Sequence, residues 1–275
     1  MPMRKALTVS WERAAVKATG SMASWFRRGF SISSGLSGRS EETCGFRSSR
    51  SLKSGKFSAI VDLGCGNGAL VKKLHDRGLS VIGIDASEDL LRIARADYPD
   101  IPFICADAAD FRLEQPVDAV FSNAVFHWID RERQPAMLSC VYKALRKGGQ
   151  FVFEFGGSGN NALIHEALRS EFEKRGCRYT MPFYFPGIGE YAPLVERAGF
   201  QVRTALLFDR PTELKGKDGL RDWIEMFVKV PFAGVKEDDR IAIIDGAVRR
   251  LEPVLYRNGK WHADYVRLRM KAVRR

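Results

Sequence analysis

Three glycines, Gly64, Gly66 and Gly68, alternate in the segment VDLGCGNG, directly after a short apolar run. Because glycine has no side chain and lets a ligand approach the backbone closely, this composition predicts a binding turn between a strand and a helix. In a pyrophosphate-binding loop the third glycine falls three positions after the second, and here it falls two positions after. Asp62 would also repel a pyrophosphate and attract a cation. The loop therefore favours a positively charged nucleoside.

Two more acids follow apolar runs further along the chain. Asp85 ends the run VIGID, about 20 residues after Gly64, where an acid can accept hydrogen bonds from both hydroxyls of an adenosine ribose. Asp107 follows the run FIC, where it can accept from the exocyclic amine of an adenine. Either side chain could instead cap a local turn, as aspartate often does. Together with Asp62, however, they place an acid at three successive strand ends, which favours a shared ligand.

The elements that must position these residues are short apolar strands alternating with helices after residue 57. This alternation predicts an α/β fold with a parallel sheet covered on both faces. We predict strands at 59–63, 80–84, 101–105, 117–121, 150–155, 202–208 and 263–272. We predict helices at 68–77, 87–96, 131–146, 161–175 and 190–198. Two further helices, 219–229 and 236–252, follow without an intervening strand and indicate a helical insertion or lid over about 210–258.

Basic residues are concentrated at the start of the chain. Residues 1–56 hold 11 of the 44 lysines and arginines but only three of the 33 acids, so the remainder is nearly neutral. A near-neutral remainder argues against a nucleic-acid surface. Segment 1–55 is either disordered or a targeting peptide, because its composition and the sequence RRGFSISS resemble a mitochondrial transit peptide. We expect an intracellular protein, mitochondrial if this segment is a transit peptide and cytoplasmic otherwise.

Cysteine and histidine show no pattern of a metal site. The five cysteines are scattered, without a C-x-x-C pair and without grouping with the four histidines, which indicates a reducing compartment and no structural metal. No apolar run approaches the roughly 20 residues that span a bilayer. We therefore expect neither a bound metal nor a membrane-spanning segment.

Five motifs in order resemble those of class I S-adenosylmethionine (SAM) dependent methyltransferases. They are VDLGCGNG, GIDAS, ADAADF, FSNAVFHWI and LRKGGQFVFEF, spread over residues 55–158. The segments FYFPGIGEYAPLVERAGF and LYRNGKWHADYVRLRMKAV are similar to the branch that includes trans-aconitate methyltransferase. The resemblance implies a methyltransferase domain over residues 56–275. Its implied fold is a Rossmann-like, seven-stranded, mostly parallel sheet with an antiparallel last strand.

The same resemblance implies SAM as cofactor and assigns its contacts. The methionine part would lie on the glycine loop, with Asp62 near its charged end, the ribose on Asp85, and the adenine on Asp107. Asn123 would line the sulfonium side through its backbone. The implied cofactor-binding set is Asp62, Gly64, Cys65, Gly66, Gly68, Asp85, Ala86, Asp107, Ala108 and Asn123.

Methyl transfer from a sulfonium is an in-line displacement, which requires chiefly that the acceptor atom is held against the methyl carbon. An ionised carboxylate needs no general base, whereas a hydroxyl or an ammonium does. His127 is the candidate base, although a histidine at this position could simply pack. Trp128 would form a wall of the pocket, and Glu154 would contact a substrate amine or bind water.

An aromatic tract and scattered basic residues complete the predicted acceptor site. Tyr184 and Phe185 belong to a Pro- and Gly-rich aromatic tract that is either core or a clamp on a planar substrate. Arg210, Arg257 and Lys260 could pair with carboxylates.

The favoured function is transfer of a methyl group from SAM to a small molecule, with a carboxylate oxygen as the expected acceptor. Two alternatives stay open from the sequence. A nicotinamide-dependent oxidoreductase would use Asp85 in the same ribose role, although Asp62 and the glycine spacing speak against it. A non-catalytic interaction protein could keep the fold and the SAM site. The sequence indicates no oligomeric state.

Overall fold

The computed structural model describes residues 59–275. The predicted targeting or disordered segment 1–55 lies outside the described residues. Within the described part of the chain, no helix is both long and apolar enough to cross a membrane.

Ten strands and seven α-helices make up the described chain, together with three short 3₁₀ helices. The strands are β1 Ala59–Leu63, β2 Ser80–Asp85, β3 Phe103–Cys105, β4 Val117–Asn123, β5 Leu145–Gly156, β6 Phe200–Asp209, β7 Thr212–Glu213, β8 Tyr256–Arg257, β9 Lys260–Ala263 and β10 Val266–Arg274. The helices are α1 Ala69–His75, α2 Glu88–Asp97, α3 Gln134–Ala144, α4 Ala162–Glu173, α5 Ile188–Arg197, α6 Gly219–Phe227 and α7 Glu237–Leu255. The 3₁₀ helices are Phe126–Trp128, Arg131–Arg133 and Val230–Phe232.

The main sheet has seven strands in the order β3-β2-β1-β4-β5-β10-β6. The pairs β1–β2, β1–β4, β2–β3 and β4–β5 are parallel. Only β10 runs against its neighbours, and it lies between β5 and β6. The predicted Rossmann-like sheet with an antiparallel last strand is confirmed. Because the parallel strands all end at one edge, that edge collects the residues that follow them.

Alternation along the strands divides the main sheet into two buried faces. On β10, Leu268 and Met270 join the larger core with Phe153 and Phe155 of β5. The residues between them in the sequence, Arg269 on β10 and Glu154 on β5, point to the opposite face because strand side chains alternate. The sequence of β10 therefore places charged side chains beside the end of β5.

A second apolar core lies outside the sheet. It is formed by residues of α4, α6 and α7, including Phe172, Trp223 and Ile244, and it is bordered by a small sheet in the order β7-β9-β8. The predicted helical insertion is present, and its helices pack on α4 around this core.

Several predicted boundaries were wrong. The last predicted strand, 263–272, is two strands, because β9 pairs with β7 and β8 while β10 enters the main sheet. The third strand is shorter than predicted. The helix predicted to reach residue 146 ends at Ala144, because Leu145 already has extended backbone and pairs with Val117 ahead of Gly148.

Candidate active site

The glycine loop joins β1 to α1 in a conformation that only glycine adopts easily. Gly64, Gly66 and Gly68 have φ angles of +78°, +57° and +78°, which are unfavourable for residues with a Cβ atom. A Cβ atom on Gly64 would lie 2.1 Å from a methyl carbon of Val125. The backbone N–H of Gly64 donates to the carbonyl of Ile84, at 2.7 Å, which ties the loop to β2. The loop, here called the backbone cradle, is therefore fixed against the end of β2, with Val125 packed on Gly64.

Asp85 holds the loop from the end of β2. One carboxylate oxygen accepts the N–H of Gly66 and the other accepts the N–H of Ser87, both at 2.8 Å. The side chain thus makes local turn contacts, as one interpretation of the sequence expected. Each oxygen has a second lone pair, so the same carboxylate can also accept from a ligand. Ala86, the next residue, is exposed.

Asp107 follows β3 on the same edge of the sheet. Its carboxylate accepts the N–H of Ala109 at 2.8 Å and forms an ion pair with Arg133 at 2.9 Å. These contacts lower the pKa of Asp107, with the backbone hydrogen bond as the largest favourable cause. The Ala106 N–H donates to the Asp85 carbonyl at 3.0 Å, so the ends of β2 and β3 are joined. Ala108 is half-buried in the same turn.

Asp62 is the most deeply buried of these acids, with 2% of its surface exposed. Within residues 59–275 its carboxylate has neither a hydrogen bond nor an ion pair. Burial and the charge of Asp85 raise the pKa of Asp62 to about 7. Cys65, also buried, lies near both acids, and its pKa is raised first by burial and then by their charges. A cation beside Asp62 would compensate its negative charge.

The glycine loop with Asp62, Asp85 and Asp107 is called the acidic half of the site. Beyond Asn123, which is half-buried at the end of β4, lies a region of opposite character. It is called the basic half and consists of Glu154, Arg210, Arg267 and Arg269.

Glu154, on β5, is the anion of the basic half. It is 2% exposed and forms ion pairs with Arg210 and, at 2.5 Å, with Arg269. We predicted Glu154 as a group that meets a substrate amine or water. The structure places it instead as the counter-ion of two arginines, which its buried position requires.

Arg267 is the third arginine of the basic half. It pairs with Gly156 across the β5–β10 ladder, and its side chain is half-buried. Its guanidinium stacks on the Tyr265 ring at 4.2 Å from the centroid. No carboxylate of residues 59–275 pairs with it, and burial lowers its pKa. An arginine remains protonated in such surroundings, so the basic half carries an uncompensated positive charge.

His127 lies between the two halves, in the 3₁₀ helix after β4. It is 9% exposed, and its Nδ1 accepts the N–H of Gly156 at 3.3 Å. Burial, and then the charge of Arg267, lowers the pKa of His127 to about 3. The ring is therefore neutral at neutral pH. Because Nδ1 accepts, the ring proton is on Nε2.

Aromatic side chains surround His127. Trp128 is 46% exposed and packs edge-on against Phe183, with 4.8 Å between ring centroids. Phe185 lies 5.8 Å from the His127 ring. These positions fit the predicted wall of a pocket. The Tyr184 hydroxyl donates to Glu190 at 3.0 Å, and its ring lies against Tyr191 of the larger core, with 6.4 Å between the centroids.

Comparison with known proteins identifies the family. Residues 60–149 match the family model described as a methyltransferase domain. The chain is 32% identical over 227 residues to an uncharacterized methyltransferase of Schizosaccharomyces pombe, covering 78% of this chain and 85% of the relative. This chain belongs to the methyltransferase family. The oxidoreductase alternative is therefore set aside.

Two further relatives carry a more specific name. The methyltransferase is 28% identical to trans-aconitate 2-methyltransferase of Deinococcus radiodurans, covering 76% of this chain and 80% of the relative. It is 38% identical over 180 residues to the protein of that name from Escherichia coli O157:H7, covering 60% and 69%. Among solved structures, a putative methyltransferase from Bacillus halodurans matches with a TM-score of 0.55 and 16% identity, covering 80% of this chain and 93% of that chain. This structural match supports the fold alone.

S-adenosylmethionine is the cofactor of this methyltransferase. The acidic half fits it on two observations. Around Gly66 the loop backbone is open to a ligand, because the atom nearest to the position of a Cβ atom is a methyl carbon of Leu90 at 4.0 Å. The buried Asp62 carboxylate has no partner among the described residues and suits a ligand with ammonium and sulfonium charges. The assignment of individual cofactor contacts stays a prediction.

The sequence analysis missed two of the four residues of the basic half. Of the three predicted basic residues only Arg210 belongs to it; Arg257 donates to the Val254 carbonyl and Lys260 pairs with Glu213, at 2.9 and 3.0 Å. Arg267 and Arg269 were not predicted. The sequence pattern that could have predicted these two arginines is the alternation RLRM in β10, which indicates a strand with one charged face.

Proposed function

We propose that this methyltransferase transfers the methyl group of S-adenosylmethionine to a carboxylate oxygen of a small organic acid. The observation that carries the proposal is the charge of the basic half. Three arginines, Arg210, Arg267 and Arg269, surround the single carboxylate of Glu154, and Arg267 has no anionic partner within residues 59–275. An acid entering beside Arg267 would supply the missing negative charge, and arginine is well suited to bind a carboxylate through two parallel hydrogen bonds.

The state of His127 supports the same acceptor. Its Nδ1 accepts the Gly156 N–H, so Nε2 is a donor and offers no lone pair. The lowered pKa of about 3 further weakens the ring as a base. A hydroxyl or ammonium acceptor needs a base to remove its proton, whereas a carboxylate does not. In this proposal His127 is a neutral donor to a substrate oxygen rather than the predicted general base.

The bound cofactor supplies an electrophilic methyl group on a positively charged sulfur. The protein contributes by holding and orienting the two ligands. In the acidic half, Asp62 would face the cationic part and Asp85 the ribose. In the basic half, Arg267 would orient the acid, with Trp128 and Phe185 excluding water. The names of the trans-aconitate 2-methyltransferases agree with an acid as acceptor.

The test is a turnover assay of the purified full chain with S-adenosylmethionine. The panel contains small carboxylic acids, trans-aconitate among them, with the alcohols and amines of the same carbon skeletons. We expect S-adenosylhomocysteine and an alkali-labile methyl ester from one or more acids only. Methylation of an amine or alcohol without any acid would overturn the proposal. Tight cofactor binding without turnover of any panel member would favour a non-catalytic role.

A further inference from the structure

A second buried histidine, His165 on α4, has no role in the function proposed above. It is 1% exposed, and its Nδ1 lies 2.6 Å from the Tyr179 hydroxyl oxygen. Its Nε2 is buried and has no hydrogen-bond partner among the described residues. A buried polar atom without a hydrogen-bond partner is unfavourable in a folded protein. Such an atom beside a binding pocket is a candidate ligand-binding group.

The contact with Tyr179 determines what His165 offers. Burial, with a smaller effect from Arg169, lowers the pKa of His165 to about 4, and burial raises the pKa of Tyr179. Both side chains are therefore neutral at neutral pH. A phenol hydroxyl is a strong donor and a neutral imidazole nitrogen is a strong acceptor, so the Tyr179 hydroxyl donates to Nδ1. Nε2 then carries the ring proton, and His165 presents an uncharged N–H.

His165 and His127 border the same pair of phenylalanines. Phe183 and Phe185 stack with 5.4 Å between their centroids. The His127 ring lies 5.9 Å from Phe183 and 5.8 Å from Phe185. The His165 ring lies 5.6 Å and 6.0 Å from the same two rings. The two imidazoles therefore line one aromatic region from different elements.

A second series of contacts joins His165 to Arg267. The His165 ring lies 6.4 Å from Trp223 on α6. The Trp223 indole N–H donates to the Tyr265 hydroxyl at 2.7 Å, and Arg267 stacks on the Tyr265 ring. His165 is thus linked on one side to His127 and on the other to the unpaired arginine of the basic half. Aromatic contacts therefore connect His165 to two hydrogen-bond donors of the predicted acceptor site, His127 and Arg267.

We propose that His165 is a specificity-determining residue whose Nε2–H binds an uncharged oxygen of the methyl acceptor, such as a carbonyl, at the end remote from the carboxylate held by Arg267. This inference rests on the proposed function. The oxygen is uncharged because the His165 ring is neutral and its ring neighbours are aromatic. The nearby Arg169 is partly exposed and already paired with Glu166. A second carboxylate at His165 would be buried without a counter-ion, which is strongly unfavourable.

The test compares three series of acids with matched chain lengths: alkanoates, oxoalkanoates with a terminal methyl ketone, and dicarboxylates. Binding to the full chain in the presence of S-adenosylhomocysteine is measured by calorimetry, and turnover is measured separately. We expect an oxoalkanoate of one chain length to bind about tenfold more tightly than the alkanoate and the dicarboxylate of that length.

Substitutions of His165 then test whether this residue causes the preference for the oxoalkanoate. His165→Phe keeps a planar ring and removes the donor, so it should abolish the preference for the oxoalkanoate over the alkanoate of the same length. His165→Gln keeps an N–H near the position of Nε2 and should restore part of the preference. If His165→Phe does not fold, the comparison of His165→Gln with the unsubstituted enzyme is used.

The outcomes separate this inference from the proposed function. Turnover of acids with equal affinity for alkanoates and oxoalkanoates, or with a preference that survives His165→Phe, overturns the inference and leaves the function standing. A preference for dicarboxylates that His165→Phe abolishes also overturns it, because the bound oxygen is then charged. Binding of none of the three series overturns the inference, and turnover of amines or alcohols alone overturns the function.

Discussion

The acidic half and the basic half of the site lie on one edge of one sheet and are built in opposite ways. The acidic half is mainly backbone, with three glycines at positive φ tied to β2 and with Asp62 buried and unpaired within residues 59–275. The basic half is built from side chains that hold one another, with Glu154 between Arg210 and Arg269. The comparison shows a charge gradient along the sheet edge that suits a cationic methyl donor at one end and an anionic acceptor at the other.

The largest effect is expected from removing the anion of the basic half. Glu154→Gln removes the negative charge that pairs with the buried Arg269, and breaking a buried ion pair in this way destabilises proteins by about 3–5 kcal/mol. Urea unfolding of the purified variant measures the change. The control is Glu237→Gln, which removes an exposed pair with Arg240 and should cost less than about 1 kcal/mol. Equal losses for the two variants would show that the basic half does not depend on its buried ion pairs.

A somewhat smaller effect is expected from filling the backbone cradle of the acidic half. Gly64→Ala adds a Cβ atom that would meet Val125 at 2.1 Å and imposes a φ of +78° on alanine. Strain and overpacking each cost about 1–3 kcal/mol. We expect calorimetry to show at least tenfold weaker binding of S-adenosylmethionine, together with lower stability.

Gly78→Ala is the matched control for the cradle. Gly78 has a φ of +80°, but nothing lies within 4 Å of the position that a Cβ atom would take. This variant should show the backbone strain alone, with cofactor affinity unchanged. If Gly64→Ala behaves like Gly78→Ala, the close approach to Val125 has no part in shaping the cradle.

The third prediction separates binding of the acceptor from binding of the cofactor. Arg267→Met removes the unpaired guanidinium, and the loss of a charge-assisted hydrogen bond costs about 1.5–3 kcal/mol. We expect KM for the acid to rise about 10- to 100-fold in steady-state assays, with cofactor affinity unchanged. Arg203→Met, at an exposed arginine of β6, is the control and should leave both quantities unchanged. A variant that instead loses cofactor affinity would show that the two halves are not independent.

The smallest effect concerns the protonation of Asp62. Its pKa is raised from 3.8 to about 7 in the folded chain without cofactor. A cationic ligand binds the ionised carboxylate better, so affinity for S-adenosylmethionine should rise as the pH rises toward about 7, by up to tenfold per pH unit. Asp62→Asn should remove this dependence. Calorimetry at a series of pH values measures it, and an unchanged profile in the variant would assign the dependence to another group.

The same raised pKa has a consequence for stability, with a defined sign. Between pH 3.8 and about 7 the unfolded chain releases the Asp62 proton and the folded chain keeps it. Stability from this group therefore falls as the pH rises through that interval and is constant above it. At neutral pH, Asp62→Asn should be more stable than the unsubstituted protein in the absence of cofactor.

The acidic half could be predicted from the sequence because its residues are local. Gly64, Asp85 and Asp107 each follow an apolar strand directly, and parallel strands end at one edge. The seven-stranded, mostly parallel sheet and its antiparallel last strand were also predicted, through the family resemblance. The sequence could not decide between the two interpretations of Asp85, because the observed turn contacts and the predicted ribose contacts would use the same carboxylate oxygens.

The basic half depends on contacts between distant parts of the chain. Glu154 meets Arg269 only because β10 returns antiparallel beside β5 in one register, which no local pattern specifies. The division of the predicted last strand into β9 and β10 was missed for the same reason. His165 resembles any histidine on the inner face of a helix, and only its neighbours reveal the atom left without a partner.

The position of β10 also affects how the protein is made. Among residues 59–275, β10 is synthesised after every other strand of the main sheet, yet it lies between β5 and β6, and β6 has no other neighbour in that sheet. On the ribosome, β6 must wait unpaired until β10 emerges, which makes it the strand most exposed to misassembly. The binding site for the methyl donor, on the parallel strands, could thus form before the proposed acceptor site, which needs β10, is complete.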